Sequence, residues 1–330
     1  LGAKVSEEEK ELVKAHKEGQ VKGKRMAPVL FEEADGVWIN LQGKDRRKNG
    51  FDKAEMKVSI AYDGWKYKGG QRYELDGKVS TAGFEKAREF QEAREALIAS
   101  EYDLEKTDLR LLNGDGAQWI KKVKDKSTVF QLDPFHRNKS IRENIKDVEA
   151  RQAIHEYLES CDLDGLFEYL EKYRNSLGED EWIEKAGILT EYFKNNREGL
   201  LPYQKMELSI PESPEGLCYR NMGTMENHVC SIIAHRMKGR RCSFSIKGGN
   251  HLAKILAKKQ MGRLYEVTER LKKPLFEKKK VEEIEYRILS AGQIAKKEGK
   301  GYNYPMMGHF PALDYAIRGD GRKGLTMAGF

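Results

Sequence analysis

A mixed five-stranded sheet, three antiparallel strands followed by two parallel ones and flanked by helices, is the architecture this sequence predicts. Three observations point to it. Apolar residues alternate with period two between residues 29 and 82, with glycine turns between the runs; the period becomes helical from Phe84; and two short apolar runs, 108–112 and 128–132, follow at crossover spacing.

Residues 5–22 permit a helix but carry almost no apolar stripe, so a leading segment 1–27 reads as a linker helix. The core starts after Pro28, with a first strand over 29–39. A second, 55–62, alternates Met56, Val58, Ile60 and Tyr62 with polar or small partners, and Gly69-Gly70 turns the chain into a third, 73–81. Phe84, Ala87, Phe90, Leu97 and Ile98 then stripe a crossover helix. The fourth strand, 108–112, ends at Asn113-Gly114-Asp115-Gly116, and a short helix is expected over 118–122. The fifth strand, 128–132, stops at Asp133-Pro134, a cap followed by a proline suited to a first helical turn. This order is that of an RNase H-like fold, its first part spanning 28–146. An acidic all-helical insertion, 147–212, interrupts it before a helix over 224–237, and a second part of the core spans 213–260. Charged helices are expected over 254–270 and 281–297, within a basic C-terminal region and tail, 261–330; the tail suggests no function.

With 330 residues, 34% of them charged, and mean hydropathy −0.75, the chain exceeds a single ordinary domain and is polar for an enzyme. No run approaches the roughly 18–20 apolar residues of a membrane span. Cys161, Cys218, Cys230 and Cys242 form no C-x-x-C pair, which gives neither a zinc-ribbon spacing nor a disulfide framework and suits a reducing cytoplasm. The initial Leu1 reads as the start of a fragment whose N-terminal part is missing. The net charge of +7 is unevenly spread: residues 147–200 hold fourteen acidic against six basic side chains, and residues 235–300 nineteen basic against seven acidic. Such a basic tract suits a phosphate backbone, although a solvated helix face would also produce it.

Asp35 in LFEEADGVWI, Asp115 in LLNGDGAQWI and Glu226 in NMGTMENHV stand out as a split carboxylate set. Most Asp-Gly pairs, such as Asp63-Gly64 or Asp76-Gly77, are turns. Two strands and a distant helix delivering three carboxylates could instead hold Mg²⁺ or Mn²⁺, two ions over a phosphodiester, because hard cations prefer carboxylate oxygens. Of the neighbouring acids only Glu33 shares a strand face with Asp35, and it reads as a supporting carboxylate. His228 and His235 read as structural, and Trp38, Trp65 and Trp119 as core or core-edge residues.

The segments VLFEEADGVWI, NGDGAQWI, FQLDPFHRNKSI and GTMENHVCSIIAHRMKGRRCSFSIKGGNHLAKIL together resemble the Lre-type bacterial insertion-sequence transposases, relatives of the Mutator-like superfamily, over residues 27–260. The resemblance implies a DDE transposase that cuts DNA at element ends and joins the 3′-OH to a target, working as a homo-oligomer on DNA. It makes Asp35, Asp115 and Glu226 the catalytic, metal-holding triad and matches Asp133-Pro-Phe-His136 to the superfamily's C/D-x-x-H motif, with Asp133 and His136 supporting the site or the phosphate. The basic stretch beyond the Glu helix makes Arg240, Arg241, Lys247, Asn250 and His251 candidate DNA contacts, with Gly248-Gly249 leading an extended run into a helix with free N–H groups. A stand-alone nuclease and a catalytically silent DNA-binding descendant remain alternatives; a glycoside hydrolase would leave the basic tract unexplained.

Overall fold

The computed structural model describes residues 1–271 apart from 51, 122–127 and 240–241. The helix expected over 281–297 and the tail lie outside the described residues, as do Arg240 and Arg241. Seven strands are described: β1 (Val29–Asn40), β2 (Lys53–Tyr62), β3 (Gly64–Tyr67), β4 (Tyr73–Asp76), β5 (Val79–Gly83), β6 (Leu109–Gly114) and β7 (Thr128–Leu132). The helices are α1 (Gly2–Lys17), α2 (Gly43–Asn49), α3 (Ala87–Glu101), α4 (Gln118–Lys121), α5 (Pro134–Asn144), α6 (Val148–Glu159), α7 (Leu163–Ser176) and α8 (Asp180–Asn195). Then come α9, a continuous run over 225–237 with a π-helical middle at Cys230–Ala234, α10 (Ile246–Gln260) and α11 (Leu264–Leu271).

Five strands form one sheet in the order β5-β2-β1-β6-β7, antiparallel from β5 to β1 and parallel from β1 to β7. Strict alternation in β1 explains how one strand serves two cores. Val29, Phe31, Val37 and Ile39 face a cluster with Met225, Val229, Ile232 and Ile233 of α9 and Ala253 and Ala257 of α10. Leu30 and Ala34 face the other way, Leu30 toward Ile98 of α3 and Ala34 into a cluster that continues through Phe90, Ile120, Ile141, Ile154, Leu166 and Leu189. The insertion helices α6, α7 and α8 therefore share a core with β6, β7 and α5.

Three expectations need correction. The third strand is not continuous: Gly77, at φ 61°, breaks it, and β4 leaves the sheet to pair with β3 in a separate hairpin. Helix α1 is no free linker, since Val5 is buried, Gly2 lies under His251, and Glu9 reaches the buried Lys254 of α10, which also pairs with Glu85 at 2.7 Å. The helical stretch expected over 254–270 is two helices, α10 and α11, parted at Gly262 with φ 72°.

On the α3 face, Glu32 is fully buried between Arg94 of α3 and Arg110 of β6, the latter donating from Nε at 2.6 Å. Burial alone would push its pKa up, but the two guanidiniums prevail and hold it below the ordinary value of 4.5. The stability that Glu32 contributes is therefore complete above that pH and is lost as the pH falls further. Glu32→Gln should melt below the parent at neutral pH and converge on it under acid, measured by thermal denaturation across about pH 6 to pH 3. A gap of constant size over that range would exclude Glu32 as the titrating group.

Candidate active site

Parallel pairing of β1, β6 and β7 aligns three acidic positions. Ala34 pairs with Gly114 and Gly114 with Leu132, so Asp35, Asp115 and Asp133 each stand one residue further on, at the same level of neighbouring strands. Asp35 is almost buried; its Oδ1 accepts from Gly36 N at 2.7 Å and its Oδ2 lies 3.6 Å from His136 Nε2. The first turn of α9 brings Glu226 across from the far side of the insertion. Asp35, His136 and Glu226 each present a ligating atom within 4.8 Å of the others, close enough for one shared cation at metal–oxygen distances of about 2.0–2.6 Å.

Asp115 stands beside this trio rather than within it. Its Oδ1 accepts from Ala117 N at 2.8 Å, and Gly116, at φ 89°, turns the chain tightly enough for that bond. Burial raises the Asp115 pKa; the bond from Ala117 opposes this and the Asp35 charge adds to it, the two acids being near enough to repel. The same Asp35 carboxylate raises the pKa of His136 by attracting its proton, against the effect of burial. Asp133 caps α5, accepting His136 N at 3.2 Å through Oδ2 while its Oδ1 accepts from Asn113 at 2.8 Å. Its carboxylate thus orients the helix that aims His136.

What places Glu226 is Glu33, two residues before Asp35 on the same face of β1. Fully buried, its Oε2 accepts from the backbone N–H groups of Gly223 (3.1 Å), Thr224 (2.9 Å) and Met225 (3.1 Å) and from Asn113 Nδ2 (3.2 Å). Its Oε1 accepts from Thr224 Oγ1 at 2.7 Å and Tyr62 OH at 2.6 Å. Six donors on two oxygens suit an acceptor-only carboxylate at a helix N-terminus. Burial pushes the Glu33 pKa up, and the bonds from Tyr62 and Thr224 draw it back. The carboxylate is a clasp between the strand of Asp35 and the helix of Glu226.

The profile of an uncharacterised protein family, UPF0236, matches residues 3–274. The chain belongs to the UPF0236 family. It is 25% identical over 242 residues to the UPF0236 protein TTE2489 of Caldanaerobacter subterraneus subsp. tengcongensis, covering 72% of this chain and 48% of that protein. A second relative from the same organism, also 25% identical over 242 residues and with 47% of its length covered, bears a name that joins eleven designations from TTE0033 to TTE2212. A third, 25% identical with 72% of this chain and 47% of the relative covered, joins four. The chain spans about half the length of these curated relatives.

In this UPF0236 chain the residues expected to touch DNA part company. Lys247 is exposed at the start of α10. Asn250 is committed to the interior, its Oδ1 accepting from Phe84 N at 2.9 Å and its Nδ2 donating to Glu85 at 2.8 Å, and His251 packs over Gly2. Gly248 and Gly249 belong to α10 itself rather than to an extended run before it, and the N–H groups of Ile246 and Gly248 are taken by Asp45 (2.8 Å) and Ser245 (3.1 Å). Glycine at 249 answers a packing need, since a Cβ there would sit 2.7 Å from the Phe84 ring. His228 is structural, its Nδ1 2.9 Å from Thr224 O, whereas His235 is exposed. Trp65 and Trp119 are buried but Trp38 is 57% exposed, against expectation.

Two neighbours of the site escape sequence reasoning. Glu55, across β2, accepts from Trp119 Nε1 at 3.3 Å and adds its charge to that on Asp115. Tyr192, on insertion helix α8, donates to Asp115 O at 2.7 Å. Neither has a local signature; Tyr192 is one of many aromatics in an amphipathic helix.

Proposed function

We propose that this UPF0236 chain is the catalytic body of a DDE-type DNA transposase with an RNase H-like fold, cleaving strands at element ends and joining the 3′-OH to target DNA. The observation that carries the reading is the meeting of Asp35 and Glu226, 191 positions apart in sequence, within 4.8 Å of each other and of His136. The relatives add support: one name spread over eleven designations in a single organism is what a self-copying element leaves behind.

The donor set fits a divalent cation, because Asp35 already raises the pKa of Asp115 beside it and carboxylates crowded in this way gain from a positive charge among them. Asp35, Asp115 and Glu226 would hold Mg²⁺ or Mn²⁺, which when bound supplies Lewis-acid stabilisation of the reacting phosphate and its entering and leaving oxygens. The chain's own residues do the positioning. Glu33 holds Glu226 against β1, Asp133 sets α5, and His136, aimed by α5 beside Asp35, can donate a hydrogen bond to a phosphate oxygen.

The deciding experiment incubates the protein with a supercoiled plasmid and a labelled duplex bearing the element end, with Mn²⁺, Mg²⁺ or EDTA. Metal-dependent nicks with 3′-OH ends, together with joined products on a denaturing gel, are expected. Cleavage without joining would favour a nuclease, and tight DNA binding with no cleavage in any metal would overturn the catalytic reading.

A further inference from the structure

The pairing of β1 with β6 ends at Ala34 and Gly114, whereas its pairing with β2 runs on to Asn40 and Lys53. From Gly36 to Asn40, β1 and β2 therefore project as a two-stranded ribbon of about 17 Å at ~3.4 Å per residue, starting at the catalytic Asp35. On the side where β6 would continue, the edge of β1 over 36–39 has no strand beside it among the described residues. One face of the ribbon is closed, with Val37, Ile39 and Met56 in the core under α9. The other face carries Gly36, Trp38 and Asn40, and there Trp38 is 57% exposed.

Unlike Trp65 and Trp119, the indole of Trp38 stands in water and offers a flat aromatic face on the ribbon that leaves the site. Directly across from it on β2 stands Glu55, which accepts from Trp119 Nε1, and the basic groups that indicate the partner's charge lie further along the ribbon. The ribbon runs into α2, where Lys44, Arg46, Arg47 and Lys48 are all exposed, against Asp45, which is occupied with Ile246 N, and Asp52, which pairs with Arg46. Lys238 and Lys247 are exposed on the segment that pairs alongside, through Leu41 with Phe244 and Asn40 Nδ2 to Cys242 O. A partner with an aromatic face and a run of negative charge satisfies both features.

We propose that Trp38 is a base-stacking contact for the substrate strand, holding an unpaired nucleobase along the open edge of the ribbon while α2 takes the phosphates beyond it. Trp38 lies three residues from Asp35, about 10 Å along the strand and on the opposite face of the ribbon, so a strand stacked on it reaches the site by passing round the edge of β1. The proposal rests on the nucleic-acid reading above and adds a demand for single-stranded character beside the cleavage point.

The test is a fluorescence titration of the full chain in EDTA with an oligonucleotide of single-stranded DNA, compared with the fully paired duplex. Quenching on the single strand is expected in the parent and in Trp182→Phe, and should be lost in Trp38→Ala with binding weakened about 5- to 150-fold, the range for one base–aromatic stack. Trp38→Phe should restore most of the affinity. A Trp38→Ala protein that binds the single strand as tightly as the parent overturns the stacking proposal alone. A change in Trp38 emission that follows protein concentration and not DNA also overturns it, in favour of a contact between copies. A parent that binds no oligonucleotide overturns the nucleic-acid reading beneath it.

Discussion

Asp35→Asn should abolish metal-dependent strand cleavage, lowering the rate by about 10³-fold or more, equivalent to ~4 kcal/mol of transition-state stabilisation. The side chain keeps its shape and can still accept from Gly36 N, so the fold should be untouched. What disappears is a charge within 4.8 Å of a Glu226 oxygen and near enough to Asp115 to repel it. Removing one of several mutually repelling acids should leave the melting temperature unchanged or slightly higher. The informative pair of measurements is therefore Mn²⁺ affinity by calorimetry and thermal stability: the first should collapse while the second holds. A variant that cleaves like the parent would remove Asp35 from the chemistry.

Glu33→Ala should cost stability as well as activity. Truncation removes the acceptor of three backbone N–H groups, the Thr224 and Tyr62 hydroxyls and one Asn113 N–H, of which those of Met225, Tyr62 and Asn113 belong to buried residues. Each such group left unsatisfied costs ~1–3 kcal/mol, so even partial rearrangement should leave a loss of about 4 kcal/mol, or roughly 8–15 °C in melting temperature. Glu33→Gln isolates the positioning role, because it fills the same space but points an amide NH₂ at donors. It should retain the circular dichroism of the parent yet bind Mn²⁺ more weakly, Glu226 no longer being held against β1. Equal metal affinity in Glu33→Gln and parent would reduce Glu33 to a packing role.

Local signals made most of the sheet legible. Alternation located β1 and β2, and Asp133-Pro134 announced both the end of β7 and the cap of α5. The misread elements share a cause: local chemistry pointed one way and tertiary packing another. Gly248-Gly249 looks like a turn, but its second glycine makes room for Phe84 within a helix. Helix α1 looks unanchored because what fastens it is a small Val5, a Gly2 beneath a histidine and an ion pair, none of which makes a stripe. The carboxylates Asp35 and Glu226 were readable as a set and Glu33 as a supporting acid, yet what Glu33 supports was not, since its partners at 223–225 come from the far side of the insertion. Exposure of Trp38 likewise depends on β6 stopping short, which no pattern around residue 38 encodes.

The clasp also sets a timetable. Glu33 and Thr224 are 191 residues apart, so a nascent chain lengthening at ~5–20 residues per second must wait about 10–40 s after Glu33 is made before its partner exists. Until then the sheet can pair and the insertion helices can fold on it, but Glu226 is absent and the acids at the strand ends stand apart. Closing so long a loop is entropically costly and falls late in folding. A half-made copy is thus a sheet without its Glu226, and any chemistry that needs Asp35 and Glu226 together is deferred until the helix over 225–237 has been synthesised.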